Sequence, residues 1–133
     1  FLSLQSFEYK NYSYEISGVK TPVAPFLLFV SNSNEMGNKI TLTPQASLQD
    51  GLLDVIIVPK ISKIRALLFG LLVVFKRHHS LRELRYSQVK ELIIYKPDSA
   101  AIKIQIDGEF AEFNEEKLEI SIKKAGLAVV TGD

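Results

Sequence analysis

Two short acidic segments of this sequence have the residue types and spacing for chemistry. In Ser47-Leu-Gln-Asp50-Gly51-Leu52-Leu53-Asp54 a glycine turn leads into an apolar run, and in Asp107-Gly108-Glu109 a second glycine ends an alternating one. A carboxylate beside a turn glycine sits among freed backbone carbonyls, an all-oxygen setting suited to a hard cation such as Mg²⁺. Two carboxylates on one turn can divide the work of proton transfer, one accepting the proton while the other orients it or binds a metal. Each segment also has an ordinary reading. Asp50 can close an Asx-turn on its own backbone, which is the preferred reading of its spacing alone, and Asp-Gly is a common hairpin turn.

The frame that must position these groups is bounded by composition. A chain of 133 residues is long enough for one domain with a real core. Apolar residues make up 47%, charged residues 23%, and the net charge is +1, which fits neither disorder nor a nucleic-acid arm, so no nucleic-acid partner is expected. The absence of cysteine excludes a disulfide framework and thiolate zinc sites, and is compatible with a reducing, cytoplasmic setting. The opening Phe1-Leu-Ser-Leu-Gln has no initiator methionine and no signal-peptide pattern, and reads as a piece of something longer.

Strand signals dominate. Phe7 and Tyr9 lie on one phase and Tyr12, Tyr14 and Ile16 on the other, with a turn or bulge expected at Lys10-Asn11. Phe26 to Val30 is an unbroken apolar run, short enough for a strand covered on both faces. A polar loop, Asn32 to Asn38, then a short strand from Ile40 to Leu42 and Pro44 follow. Leu52 to Val58 reads as a second buried strand stopped by Pro59. Val89 to Tyr95, the alternating Ile102, Ile104, Ile106, and the alternating Leu118, Ile120, Ile122 complete the set, with turns at Asp98-Ser99 and Asn114-Glu115.

One helix is expected. Ser62 can cap it, and Ile64, Leu67, Leu68, Leu71, Leu72 and Phe75 recur at helical spacing before Lys76-Arg77. Its apolar run from Ala66 to Phe75 falls well short of the roughly twenty residues that span a bilayer. A helix buried against a sheet is the preferred reading; the functional one is the wall of a lipid-chain pocket or an interfacial contact. The nearby Lys76, Arg77, His78, His79, Arg82 and Arg85 form a basic cluster that could meet anionic headgroups, although a solvated helix end explains it more cheaply. Many short strands around one helix, without βαβ alternation, predict a mainly β fold: an antiparallel sandwich or barrel.

The order Asn32-x-x-x-x-Gly37, Pro44, Asp50-Gly-Leu-Leu-Asp54, helix, Asp107-Gly-Glu109 resembles the C-terminal half of the diacylglycerol kinase-like lipid kinases, a superfamily that includes bacterial diacylglycerol kinases and the sphingosine and ceramide kinases. The match covers roughly residues 25 to 110. The resemblance implies a two-domain enzyme in which residues 1–133 form the C-terminal β-sandwich and an N-terminal nucleotide-binding domain, with its Gly-Gly-Asp-Gly-Thr motif, is absent from this chain. It implies ATP as phosphoryl donor and Mg²⁺ as cofactor. Asp107 matches the general base that takes the proton from the lipid hydroxyl, with Glu109 beside it. Asp50, with backbone carbonyls near Ser47 and Leu52, matches the Mg²⁺ network of bacterial members, and Asn32 and Gly37 fall on the loop facing the nucleotide. Here Gly37 is followed by Asn38 and Lys39 where the family often has a glycine triplet.

The function expected is phosphoryl transfer from ATP to a lipid hydroxyl such as that of diacylglycerol, with the chain alone inactive. Two rivals stand beside it. One is a non-catalytic lipid- or membrane-binding regulatory module, whose basic helix end would contact a membrane surface; the other is a soluble-substrate kinase related to NAD kinase. The partners implied are the lipid substrate and the chain's own nucleotide-binding domain, and an exposed edge strand could pair two copies into a homodimer.

Overall fold

The computed structural model describes residues 2–5, 11–32, 42–47, 50–96, 101–122 and 129–132. Two open sheets face each other, and every strand pair in them is antiparallel. The first, in spatial order, holds β6 (Arg85–Val89), β5 (Leu53–Pro59), β4 (Pro25–Ser31), β1 (Leu2–Gln5), β8 (Ile102–Ile106) and β9 (Glu109–Phe113). The second holds β11 (Val129–Gly132), β10 (Lys117–Ser121), β7 (Glu91–Tyr95), β2 (Tyr12–Ile16) and β3 (Val19–Val23). This is the expected antiparallel sandwich. Lys10-Asn11, Gly37 and Asp98-Ser99, where a turn, a loop glycine and another turn are expected, lie wholly or partly outside the described residues.

Alternation explains the layers. Along β5, Leu53, Val55 and Ile57 point into the space between the sheets, where they meet Leu28, Val30, Leu92, Ile94, Ile102, Ile104, Leu118 and Ile120. Ile56 and Val58 point the other way and, with Leu27 and Phe29 of β4, form a second cluster beneath helix α1 (Lys63–Val74). These two strands are apolar on both faces because both faces are covered. The run Val89 to Tyr95 is not one strand, however: it breaks at Lys90, leaving β6 in the first sheet and β7 in the second. Leu42, expected to end a short strand, is buried but lies in a bend.

Ser62 caps α1, its hydroxyl accepting from the Arg65 amide at 3.3 Å. The helix closes with a Schellman arrangement: the Arg77 amide donates to the Leu72 carbonyl at 2.7 Å and the Lys76 amide to that of Val73 at 3.0 Å, with Lys76 left-handed at φ 57°. The face it buries is not the one its periodicity predicts. Phe69 is its one buried residue, helped by partly buried Ala66, Leu72 and Val73, whereas Ile64, Leu67, Leu68, Leu71 and Phe75 face outward. From Ala66 to Val74 the helix carries only apolar residues and glycine, so the opposite face can pack against the sheet as well as the one the spacing favours. Edge contacts decide it: the Phe69 ring stands edge-on to Phe26 at 6.2 Å and to His78 at 6.4 Å.

His78, in a single 3₁₀ turn after the helix, is fully buried with Nε2 2.6 Å from the Leu42 carbonyl. A carbonyl only accepts, so Nε2 carries the proton and donates. Burial pushes the His78 pKa below the usual histidine value of 6.5; the Leu42 contact opposes this, and the neighbouring His79 adds to the lowering. The unfolded chain therefore takes up a proton that the folded chain resists, and stability falls as pH drops below about 6.5. Melting temperature measured from pH 7 to pH 5 should decline, and His78→Gln, which keeps a donor but does not titrate, should flatten that decline.

Candidate functional site

Asp107 and Gly108 form the two-residue link between β8 and β9, with φ 49° and 87°. Two left-handed central residues make a type I′ turn, the geometry that suits the twist of a hairpin; glycine tolerates it freely, and aspartate is among the few side chains that do so too. Asp107, Gly108 and Glu109 are all exposed. Glu109 pairs with Ile106 directly across the turn, so the two carboxylates project from one corner.

The Asp50 corner is built differently. Asp50 Oδ1 accepts the Leu52 amide at 2.9 Å, the Asx-turn that its spacing favours, and Gly51 takes φ 70° to steer the chain into β5. Asp54 follows on β5, fully buried. Its Oδ1 accepts the Tyr86 hydroxyl and, at 3.1 Å, the Gln88 amide, while its Oδ2 is buried with no hydrogen-bond partner among the described residues. Burial holds the Tyr86 hydroxyl well above its usual range, followed by its bond to Asp54 and by the charges of Asp54 and Asp50. It therefore stays a donor. Tyr86 and Gln88 could not be picked out from the sequence: they alternate on one face of β6, but only the register Asp54↔Gln88 and Ile56↔Tyr86 shows that this face meets Asp54.

Tyr86→Phe strips the buried carboxylate of its hydroxyl donor. A hydrogen bond to a charged group is worth about 1.5–3 kcal/mol, and chemical denaturation should show a loss of that size.

The strand register relates the two corners. Ser87, Val55, Val30, Leu2, Ile106 and Glu109 form one transverse row across all six strands of the first sheet. Asp54 and Asp107 each lie one residue beyond that row, toward the same end. Three strand spacings separate β5 from β8, roughly 14 Å. Asp54 and Asp107 thus share one rim, and at that spacing the two are too far apart to ligate a single ion. Ser31, opposite Asp54, ends β4 at this rim, so Asn32 leaves the sheet here and Leu52 leads into β5 here. Asn32, Ser47 and Leu52 are half-buried. A cleft of about 570 Å³ opens beside Leu52 and Gln88, bordered by the Ser17-Gly18 turn and Lys90.

The Asp50 corner holds oxygen atoms of the kind that could ligate a hard cation. One Asp50 oxygen is committed to the turn and a carboxylate has two, while Asp54 Oδ2, itself buried, has no hydrogen-bond partner among the described residues. Among the described residues no three His, Cys, Asp or Glu side chains gather to hold a metal. Mg²⁺ needs no such cage, since it is commonly held by one or two carboxylates and keeps several waters.

Comparison with known proteins gives this geometry a context. No curated protein matches the sequence. Among solved structures, a candidate diacylglycerol kinase from Bacillus anthracis str. Sterne superposes with a TM-score of 0.68 at 16% identity, covering 86% of this chain and 36% of that one. A diacylglycerol kinase from the same organism gives a TM-score of 0.60 at 17% identity, covering 90% of this chain and 42% of that one. At such identities the likeness is one of fold, and the chain spans less than half the length of either structure. The family model described as the YegS C-terminal NAD kinase beta sandwich-like domain matches residues 1–123, and the chain belongs to that family.

Proposed function

We propose that this domain forms the acceptor side of an ATP-dependent lipid kinase whose nucleotide-binding domain closes over the rim. The observation that carries the reading is that the Asp107 hairpin, the end of β4 at Ser31 and the start of β5 at Leu53 lie at one end of one sheet. Asp107 is exposed there, as a group must be that receives a substrate and a second domain. Phosphoryl transfer is catalysed mainly by positioning and charge neutralisation, which suits carboxylates spread along a cleft.

In this reading the lipid hydroxyl approaches Asp107, which accepts its proton as the oxygen bonds to the γ-phosphorus and the bond to ADP breaks. Glu109, across the turn, holds the geometry. Asp50, with carbonyls of Ser47 and Leu52, would hold Mg²⁺, which supplies charge neutralisation at the phosphates. Asn32 and Gly37 would line the nucleotide side, Gly37 lying outside the described residues. Diacylglycerol is the first acceptor to test because it is named for both Bacillus anthracis structures.

The test uses the full-length protein with Mg²⁺ and γ-labelled ATP, offered diacylglycerol in detergent micelles or NAD in solution. Label in the lipid supports the proposal. Label in NAD would move the protein to the soluble-substrate branch, and label in neither acceptor would favour a regulatory module. This chain alone should transfer none.

A further inference from the structure

We infer that the outer face of α1 docks on an anionic lipid bilayer. Ile64, Leu67, Leu68, Leu71, Val74 and Phe75 recur at steps of three and four and share one side of the helix, opposite Phe69. Four of them are about two-thirds exposed or more: Ile64 81%, Leu67 68%, Val74 69% and Phe75 71%. This is the most regular apolar stripe in the sequence, and it points away from the protein. From Ile64 to Phe75 it runs roughly 16 Å. Contiguous apolar surface of this kind marks an interaction site rather than the ordinary scatter of exposed hydrophobes.

The chemistry of the face selects its occupant. It holds only hydrocarbon side chains, with no tyrosine, tryptophan or arginine within it, and those three are the residues that anchor protein–protein interfaces, where leucine and valine are under-represented. Cations sit at both ends: Lys63 at the start, Lys76 and Arg77 just past the end, none with a carboxylate partner among the described residues. No acidic residue occupies the first turn. An apolar strip flanked by cations matches acyl chains bordered by anionic headgroups. The described helices are too short to cross a membrane, so the contact is with its surface. The left-handed Lys76 contributes by ending the helix so that two cations follow directly on the apolar face.

The inference extends the lipid-acceptor reading by supplying the means of reaching a membrane-borne substrate, but its test needs no catalysis. Full-length protein is mixed with vesicles of phosphatidylcholine and phosphatidylglycerol at three to one, or of phosphatidylcholine alone, and sedimented. Binding should favour the charged vesicles and weaken with added salt. Leu71→Glu should reduce partitioning roughly ten- to a hundredfold, as expected for losing one buried leucine. Lys76→Glu combined with Arg77→Glu should abolish the preference for charged vesicles, and unchanged melting temperatures show that both variants fold. Equal partitioning by wild type and Leu71→Glu would overturn the inference. So would a wild-type dimer in solution that Leu71→Glu dissolves, which would give the face to a second copy. Failure here leaves the acceptor chemistry standing, and an inactive Asp107→Asn protein that still binds vesicles leaves the docking face standing.

Discussion

Asp107→Asn in the full-length protein should lower lipid phosphorylation by about 10²- to 10⁴-fold, the usual contribution of a positioned general base, while leaving the melting temperature unchanged. The substitution is unusually clean at this position. Asp107 occupies the first central site of a type I′ turn at φ 49°, and asparagine followed by glycine is the pair that this turn favours most. The hairpin, its register and the placement of Glu109 are therefore retained, while the charge of the side chain and its capacity to accept a proton are removed. The loss should fall on turnover and leave the KM for ATP almost untouched, because the nucleotide is bound by the other domain in the proposed arrangement. Near-normal turnover would take Asp107 out of the mechanism and reduce the Asp-Gly pair to a turn. Glu109→Gln should cost less, since that residue is assigned to holding geometry.

How much of this could be read from residues alone varied with how many layers each residue touches. β4 and β5 were legible because both their faces are covered, which favours long apolar runs, broken in β5 only by the hydrogen-bonded Asp54. The Asp107-Gly108 hairpin was legible because few dipeptides suit two left-handed positions. The division of Val89 to Tyr95 was written in the chain but faint: Val89, Leu92 and Ile94 all face the inter-sheet core, and the odd step from 89 to 92 is the slip at which the chain changes sheet. The end of α1 was marked by the change from apolar residues to Lys76-Arg77 and not by a glycine, since the residue in the left-handed C′ position is Lys76. The partners of Asp54 were illegible in principle. A buried carboxylate demands donors, but Tyr86 and Gln88 lie more than thirty residues away and only the pairing of β5 with β6 brings them to it.

The orientation of α1 is the point at which local pattern and tertiary fit part company, and two alanine substitutions separate them. Phe69→Ala should cost about 3–5 kcal/mol, the range for removing a buried aromatic ring, because Phe69 fills the space between Phe26 and His78 above the first sheet. That is a large share of the roughly 5–15 kcal/mol that holds a domain together, and urea denaturation should show it as a marked drop in midpoint. Leu71→Ala, two positions along, should change stability by no more than about 0.5 kcal/mol, since Leu71 is half exposed and alanine is the better helix former. A helix rotated to bury its most regular stripe would reverse the two results. The same rotation that puts Phe69 inside puts Leu71 outside, so this pair of measurements also fixes which hydrocarbon face is left for a bilayer to meet.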